Sequence, residues 1–343
     1  MTTMPSPGAH SVTPQPAPLV VTDFPFDEPD RTRLAGALRP GALVAVSGRN
    51  ALPEALTQHP AADVLCTFSP PRDLLSLAPG IRWVQLASAG ADAAVQTGLL
   101  DLPNGPAVTT SSGIHAIPMA EYALSSMLLW VRHWPRMLEL QRAATWADRP
   151  TWLGLRGGEL HGATLGIVGL GHIGRQVARL GHAFGMRPLG LRRSSASGER
   201  DPDVDQLYAP DALNDLLAAS DFVLVAVPIT PATHHLIAEP QLRAMRPTAY
   251  LVNIARGDVM DEQALIRALR EGWLAGAGLD VTEREPLDSS SPLWTMPNVI
   301  LSPHVSGATD RYSARLTDLF LDNLNRYRTG QPLLNLVDPA RGY

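Results

Sequence analysis

The chain has 343 residues, 45% of them hydrophobic and 18% charged, which excludes a disordered polymer and is enough for two domains, each with its own core. Its formal net charge is -5 and its 28 basic residues are all arginine, which excludes a basic surface for nucleic acid or anionic membrane. The absence of lysine also removes Schiff-base, pyridoxal and P-loop chemistry, each of which needs an ammonium, and the single Cys66 removes internal disulfides, CxxC redox pairs and cysteine-rich zinc sites.

Residues 1–18, rich in Pro, Ser, Thr and Gly, read as a mobile tail. From residue 19 onward, short apolar runs at 19–21, 42–46, 63–68, 81–86 and 107–109 are bounded by Pro, Gly or Asp. They read as strands buried on both faces of a parallel sheet. A long helix is expected over 116–144, followed by a turn-rich stretch at 148–158. A second alternation then begins, with strands at 164–168, 188–191, 222–227, 249–253, 275–279 and 299–301 and helices at 173–184, 211–219 and 262–270. Alternation of this kind predicts two parallel sheets wound by right-handed crossovers. The last helix, 311–327, lacks a counterpart in the second unit and is expected to pack back on the first, which leaves a cleft between domains as the default ligand position. With no leader-like segment and no apolar run of about 18 residues, a soluble, cytoplasmic protein is expected.

Four motifs carry chemistry. An apolar strand runs into Gly169, Gly171 and Gly174 and then into a helix-compatible segment. Gly169 suits a tight turn, Gly171 a close approach to a pyrophosphate, and Gly174 the packing of helix on strand. The next strand ends in Arg192, Arg193 and Ser194, where an acidic residue would bind a ribose 2′-hydroxyl. Two guanidiniums and a hydroxyl suit a 2′-phosphate instead, so NADP(H) is expected over NAD(H). A third strand runs into Arg256, whose planar fork matches a carboxylate, although an arginine before a glycine is commonly a surface residue or a helix cap. The segment 278–286 brings Asp280, Glu283 and Glu285, and a last short strand ends at His304, a proton donor suited to neutral pH.

Taken together, Gly169 to Gly174, Asn253 to Gly257, Asp280 with Glu285-Pro286, Ser302-Pro303-His304, and the spacer Pro292-Leu293-Trp294 with Pro297-Asn298-Val299 resemble the D-2-hydroxyacid dehydrogenase family. The resemblance covers nearly the whole chain after residue 18. It implies an α/β fold of two doubly wound parallel-sheet domains, with a Rossmann-type dinucleotide-binding domain, 114–307, inserted in a flavodoxin-like substrate domain, 19–113 and 308–343. It also implies a catalytic trio. Arg256 binds the substrate carboxylate, His304 protonates the carbonyl oxygen as hydride arrives, and Glu285 holds the imidazole. Implied cofactor neighbours are Gly169, Gly171, His172, Ile173, Gly174, Arg192, Arg193, Ser194, Val227, Pro228, Thr233, Ile254, Ala255, Arg256, Asp280, His304 and Gly307. Asp280 matches the position that meets the nicotinamide carboxamide. Ser88, Ala89 and Gly90 resemble the loop whose amides meet the substrate carboxylate, a plain strand-to-helix turn being the other reading. His115 falls near the crossover between domains and reads as structural, and Trp146, Trp152 and Trp294 read as packing residues. No metal is called for.

Family members mostly carry an acidic residue where Arg192 stands, so the resemblance and the local chemistry part there. Relatives that reduce glyoxylate and hydroxypyruvate with NADPH carry a basic cluster, which favours reduction of a small 2-oxo acid with NADP(H) preferred and NAD(H) possible. Two alternatives stay open: a corepressor-like, dinucleotide-sensing binding protein on the same fold, and a formate- or phosphite-type dehydrogenase. The short run 337–343 and the arginine pair argue against them respectively. A homodimer through the apolar helix 120–131 is expected, with neither nucleic acid nor membrane as partner.

Overall fold

The computed structural model describes residues 17–102, 104–194 and 199–339. The expected mobile tail, 1–18, lies outside the described residues except for its last two positions, as do 340–343 of the C-terminal run. The chain runs β1 (Leu19–Thr22), α1 (Glu28–Leu38), β2 (Ala42–Ala45), α2 (Leu52–Gln58), β3 (Val64–Thr67), α3 (Leu74–Leu77), β4 (Trp83–Leu86), α4 (Asp92–Gln96) and β5 (Ala107–Thr109). It continues through α5 (Ala116–Val131), α6 (Trp134–Arg142), α7 (Arg149–Gly154), β6 (Thr164–Val168), α8 (His172–Ala183), β7 (Arg187–Leu191), β8 (Gln206–Tyr208), α9 (Leu213–Ala219) and β9 (Phe222–Val225). Then come α10 (Glu239–Ala244), β10 (Tyr250–Asn253), α11 (Glu262–Glu271), β11 (Gly276–Leu279), β12 (Val299–Leu301) and α12 (Tyr312–Thr329). These elements form two compact units, Met1–Ile114 with Thr309–Tyr343, and His115–Ala308.

The first unit holds a five-stranded parallel sheet in the order β2-β1-β3-β4-β5, the flavodoxin-like winding. Its inner strands β3 and β4 are buried along their whole length, which is why they read as unbroken apolar runs. Helix α12 covers one face with Leu316, Phe320, Leu324 and Tyr327, a spacing that keeps all four on one stripe. Phe320 stacks on the indole of Trp83, with centroids 5.1 Å apart, and Trp83 Nε1–H donates to Thr109 Oγ1 at 2.8 Å.

The second unit holds seven parallel strands ordered β12-β11-β10-β9-β6-β7-β8. Counted from β6, this is the Rossmann winding with one strand added, and direction reverses between β6 and β9. One core layer gathers Leu216, Val223, Leu251 and Leu265, and the other gathers Ala123, Met127, Val177 and Tyr250. Among the described residues no helix is long and apolar enough to cross a membrane.

Several expectations meet a different local structure. The helix expected over 116–144 is two helices, because His133 turns into the left-handed region (φ 55°) and Pro135 follows in the first turn of α6, where a missing N–H costs nothing. The turn-rich stretch holds the short helix α7, capped by Asp148 Oδ1, which accepts from Thr151 N–H at 3.0 Å. The helix expected to present a dimer face packs one side on its own unit and leaves Ile117 exposed and Leu128, Leu129 and Val131 half-buried. Ala120, Ala123, Leu124 and Met127 are buried, and Trp130 stacks on Tyr250 at 4.9 Å. The three tryptophans read as packing residues are the reverse: Trp146, Trp152 and Trp294 are 98%, 58% and 55% exposed.

Since Phe320 is 1% exposed and stacked on Trp83, Phe320→Ala should destabilise the first unit by about 3–5 kcal/mol, measured by denaturant unfolding. A loss below about 1 kcal/mol would show that α12 is not a core element of that unit.

Candidate functional site

The turn after β6 has the geometry of a phosphate cradle. Gly169 sits at φ 107°, and a side chain there would meet the Ala226 carbonyl oxygen at 2.6 Å, so only glycine fits. A Cβ on Gly174 would lie 2.2 Å from the Gly169 carbonyl oxygen, so helix α8 is pressed against the turn. Gly171, the residue before α8, faces open space with no atom within 4 Å of an added Cβ. Exposed His172 and half-buried Ile173 open the helix, whose first N–H groups and positive dipole end suit an anion. The residues present therefore fit the pyrophosphate of a dinucleotide.

At the end of β7, Arg192 is half-buried, and Arg193 and Ser194 are exposed. A carboxylate network that the sequence reading missed surrounds this edge. Arg192 pairs with Glu199 at 2.5 Å and Asp201 at 3.4 Å, and Arg175 grips Asp201 through two bonds of 2.8 Å and Asp203 at 2.6 Å. Hydrogen bonds from Arg175 hold the Asp201 and Asp203 carboxyls below the usual carboxylate range, and these bonds push the guanidinium's own pKa up. Local positive charge is thus offset by the chain's own acids.

Beyond β9, half-buried Val227 and exposed Pro228 lead into a loop that Thr233 closes. Its Oγ1 donates to the Pro228 carbonyl at 2.6 Å and accepts from Thr230 N–H at 2.8 Å. After β10, Ile254 and Ala255 are buried (2% and 6%) in the two core layers, so only their backbone is available to a ligand. Asn253 shapes the turn that follows. Its Nδ2 donates to the Arg256 carbonyl at 3.2 Å, and its Oδ1 accepts from Ala255 N–H at 3.0 Å. Half-buried Arg256 donates through Nη1 to the Ala255 carbonyl at 2.7 Å. The next residue, Gly257, sets its neighbourhood: a Cβ there would lie 2.0 Å from the Thr282 carbonyl, so the Arg256 turn lies directly against the loop of Glu283 and Glu285.

That loop and the one after β12 meet in a hydrogen bond between His304 Nδ1 and Glu285 Oε2 of 2.8 Å. A carboxylate only accepts, so the proton sits on Nδ1 and Nε2 is left for exchange with a substrate. Glu285 Oε1 accepts in turn from Thr282 N–H at 3.2 Å. His304 is a non-glycine residue in the left-handed region, φ 53°, a conformation that persists only where the surroundings impose it.

Asp280 imposes it. This side chain, 2% exposed, accepts from Ser302 Oγ–H at 2.5 Å and Val305 N–H at 2.9 Å on Oδ1, and from Ser306 N–H at 3.0 Å on Oδ2. The His304 N–H donates to its backbone carbonyl at 2.8 Å. Asp280 was read as a nicotinamide neighbour, and its carboxylate is engaged with the loop that carries His304. Gly307 packs on His115, whose Cδ2 would lie 2.9 Å from an added Cβ.

A cavity of about 520 Å³ opens beside this pair. Glu285, His304, Asp280, Thr282 and Ser302 form its polar wall, and Pro286, Leu287, Trp294, Leu301 and Pro303 its apolar one. Trp294, read as packing, is a wall residue held by Nε1–H donating to the Asp288 carbonyl at 2.9 Å, and Arg256 is not among the lining residues. Ser88, Ala89 and Gly90 lie in the first unit, half-buried after β4, with Ser88 Oγ–H donating to the Gly90 carbonyl at 2.8 Å. The reading of the residues missed Tyr122, Thr282, Glu199 and Asp201. Only Thr282 had a signal, its place in the acidic strand-end run.

A family model described as "D-isomer specific 2-hydroxyacid dehydrogenase, NAD binding domain" matches residues 124–306, more than half the chain. The glyoxylate reductase of Aeropyrum pernix is 38% identical over 291 residues, covering 81% of this chain and 83% of that protein. Among solved structures, the NADPH-dependent glyoxylate/hydroxypyruvate reductase of Sinorhizobium meliloti, in complex with NADP and sulfate, superposes with a TM-score of 0.78 at 27% identity, over 95% of this chain and all of that one. A D-isomer specific 2-hydroxyacid dehydrogenase from Xanthobacter autotrophicus, in complex with NADPH and MES, gives 0.79 at 29%, with 95% and 100% covered. With a dinucleotide cradle and a histidine–glutamate pair in loops at the carboxyl edge of one Rossmann sheet, the chain belongs to the D-isomer specific 2-hydroxyacid dehydrogenase family, oxidoreductases of 2-hydroxy and 2-oxo acids that use a nicotinamide dinucleotide.

Proposed function

We propose that the protein reduces a small 2-oxo acid of the glyoxylate or hydroxypyruvate class to its D-2-hydroxy acid with NADP(H), in the cytoplasm and as a homodimer. The observation that carries this reading is the 2.8 Å bond between His304 Nδ1 and Glu285 Oε2, an imidazole oriented by a carboxylate beside an open cavity. A bound reduced dinucleotide supplies the hydride. Arg256 holds the substrate carboxylate through its two-pronged fork and orients the carbonyl. His304, protonated on both nitrogens, gives the Nε2 proton to the carbonyl oxygen as negative charge develops there. Glu285 keeps the ring in place and stabilises its cationic form. In the opposite direction neutral His304 takes the proton back.

The cofactor preference rests on the position of Arg192, Arg193 and Ser194 at the end of β7, and on the NADPH-dependent relative. The pairing of Arg192 with Glu199 and Asp201 works against it, because a 2′-phosphate has to compete with two carboxylates for the same guanidinium. The proposed dimer face takes in the half-buried Leu128, Leu129 and Val131 of α5 and the segment after it, where Trp134, Leu138, Trp146, Trp152 and Leu153 are exposed apolar side chains.

The deciding experiment is a panel of 2-oxo acids followed at the nicotinamide absorbance with each reduced cofactor. Turnover of glyoxylate or hydroxypyruvate with NADPH is expected; no reduction of any member overturns the reading, and a tenfold preference for NADH overturns the cofactor choice alone. His304→Ala should lower kcat/KM by about 10²–10⁴, the usual worth of a general acid. Arg256→Lys should lower it by about 10- to 100-fold, with both kcat and KM affected, because an ammonium lacks the fork. Light scattering at micromolar concentration should give twice 36.8 kDa, and a single-chain mass would exclude the dimer.

A further inference from the structure

We propose that Ser302 and Tyr122 are positioning residues for His304, acting through Asp280 from a helix 180 positions away in sequence. This rests on the general-acid role given to His304 above. The directions of the bonds are fixed by proton count. Ser302 has one hydroxyl proton and gives it to Asp280 Oδ1 at 2.5 Å. The second short contact, 2.6 Å between Tyr122 Oη and Ser302 Oγ, is then donated by the tyrosine. Tyr122 lies on α5, which is locked in place by its buried neighbours Ala123, Leu124, Ser126 and Met127, and by Ser126 Oγ bonded to Tyr250 Oη at 3.0 Å one turn on. The phenol is thus a fixed post, and burial raises its pKa so that it keeps the proton this arrangement requires.

Successive donors aligned toward one carboxylate strengthen each other, and this carboxylate also collects the N–H groups of Val305 and Ser306. Those two bonds, with the His304 N–H on the Asp280 carbonyl, bracket the left-handed residue that carries the imidazole. Removing the Ser302 hydroxyl takes one of three side-chain-directed donors from Asp280 and strands the tyrosine hydroxyl. Removing the Tyr122 hydroxyl leaves the Ser302–Asp280 bond in place. The effects should therefore be graded, serine first.

The test combines kinetics with a readout independent of turnover. The Nδ1–H proton of His304, shared with Glu285, should give a downfield proton resonance identified by its loss in His304→Gln. Ser302→Ala should broaden or abolish that resonance and lower kcat by about 10- to 100-fold, as expected for a slightly misplaced group, with the dinucleotide KM unchanged. Ser302→Thr, which keeps the hydroxyl, should restore both. Tyr122→Phe should cost about fivefold, one neutral hydrogen bond, and it decides the matter if Ser302→Ala does not fold. Wild-type kcat and an intact resonance in Ser302→Ala, or in Tyr122→Phe where the former is not folded, overturn the proposal. Equal activity of His304→Gln and wild type would instead overturn the general-acid reading, a separate failure.

Discussion

A buried carboxylate has to be met by donors, and at Asp280 this requirement organises the site. Leaving an ionised group 2% exposed without partners would cost several kcal/mol, so the chain that follows β12 is bent until hydroxyl and amide groups reach it. The bend places His304 in a backbone conformation it would otherwise avoid, with its ring turned toward Glu285. The histidine is accordingly half-exposed while the residue that holds its loop is hidden. Such a division suits a group that must exchange protons without moving.

The parallel sheet supplies the other half of the arrangement. Because β6, β7, β9, β10, β11 and β12 run in one direction, their carboxyl ends lie along one edge, and the glycine turn and the loops of Arg192, Arg256, Glu285 and His304 all leave from that edge. Gly257 lets the Arg256 turn close on the Glu285 loop, and Gly169 with Gly174 lets α8 close on its strand. At both places a missing Cβ creates proximity that no attractive contact would. Along the β7 side, arginines and carboxylates alternate in a network around Asp201, so charge there is balanced locally, and any selectivity between dinucleotides depends on competition within that network.

Much of this was legible in the residues. The two runs of strand–helix alternation, the glycine turn, and the strand ends at Arg256, Asp280 and His304 came from local patterns, because a parallel strand buried on both faces writes itself as an apolar run. The break at His133 was not legible: a following proline marks a helix start as readily as a helix end. Tryptophan misled in the same way, since hydrophobicity does not say whether Trp294 faces a core or the wall of a cavity.

The sequence by itself determined the fold class and the dinucleotide cradle, because each is written in local patterns, apolar runs a few residues long and a glycine turn between strand and helix. Only the tertiary structure decided which groups meet. Tyr122 meets Ser302, Asp280 gathers a loop more than twenty residues away, and Glu199 and Asp201 reach Arg192, by bonds whose ends share no spacing rule. Hydrogen bonds act over about 3 Å of space whatever the separation along the chain, so roles of this kind exist only once the chain has folded.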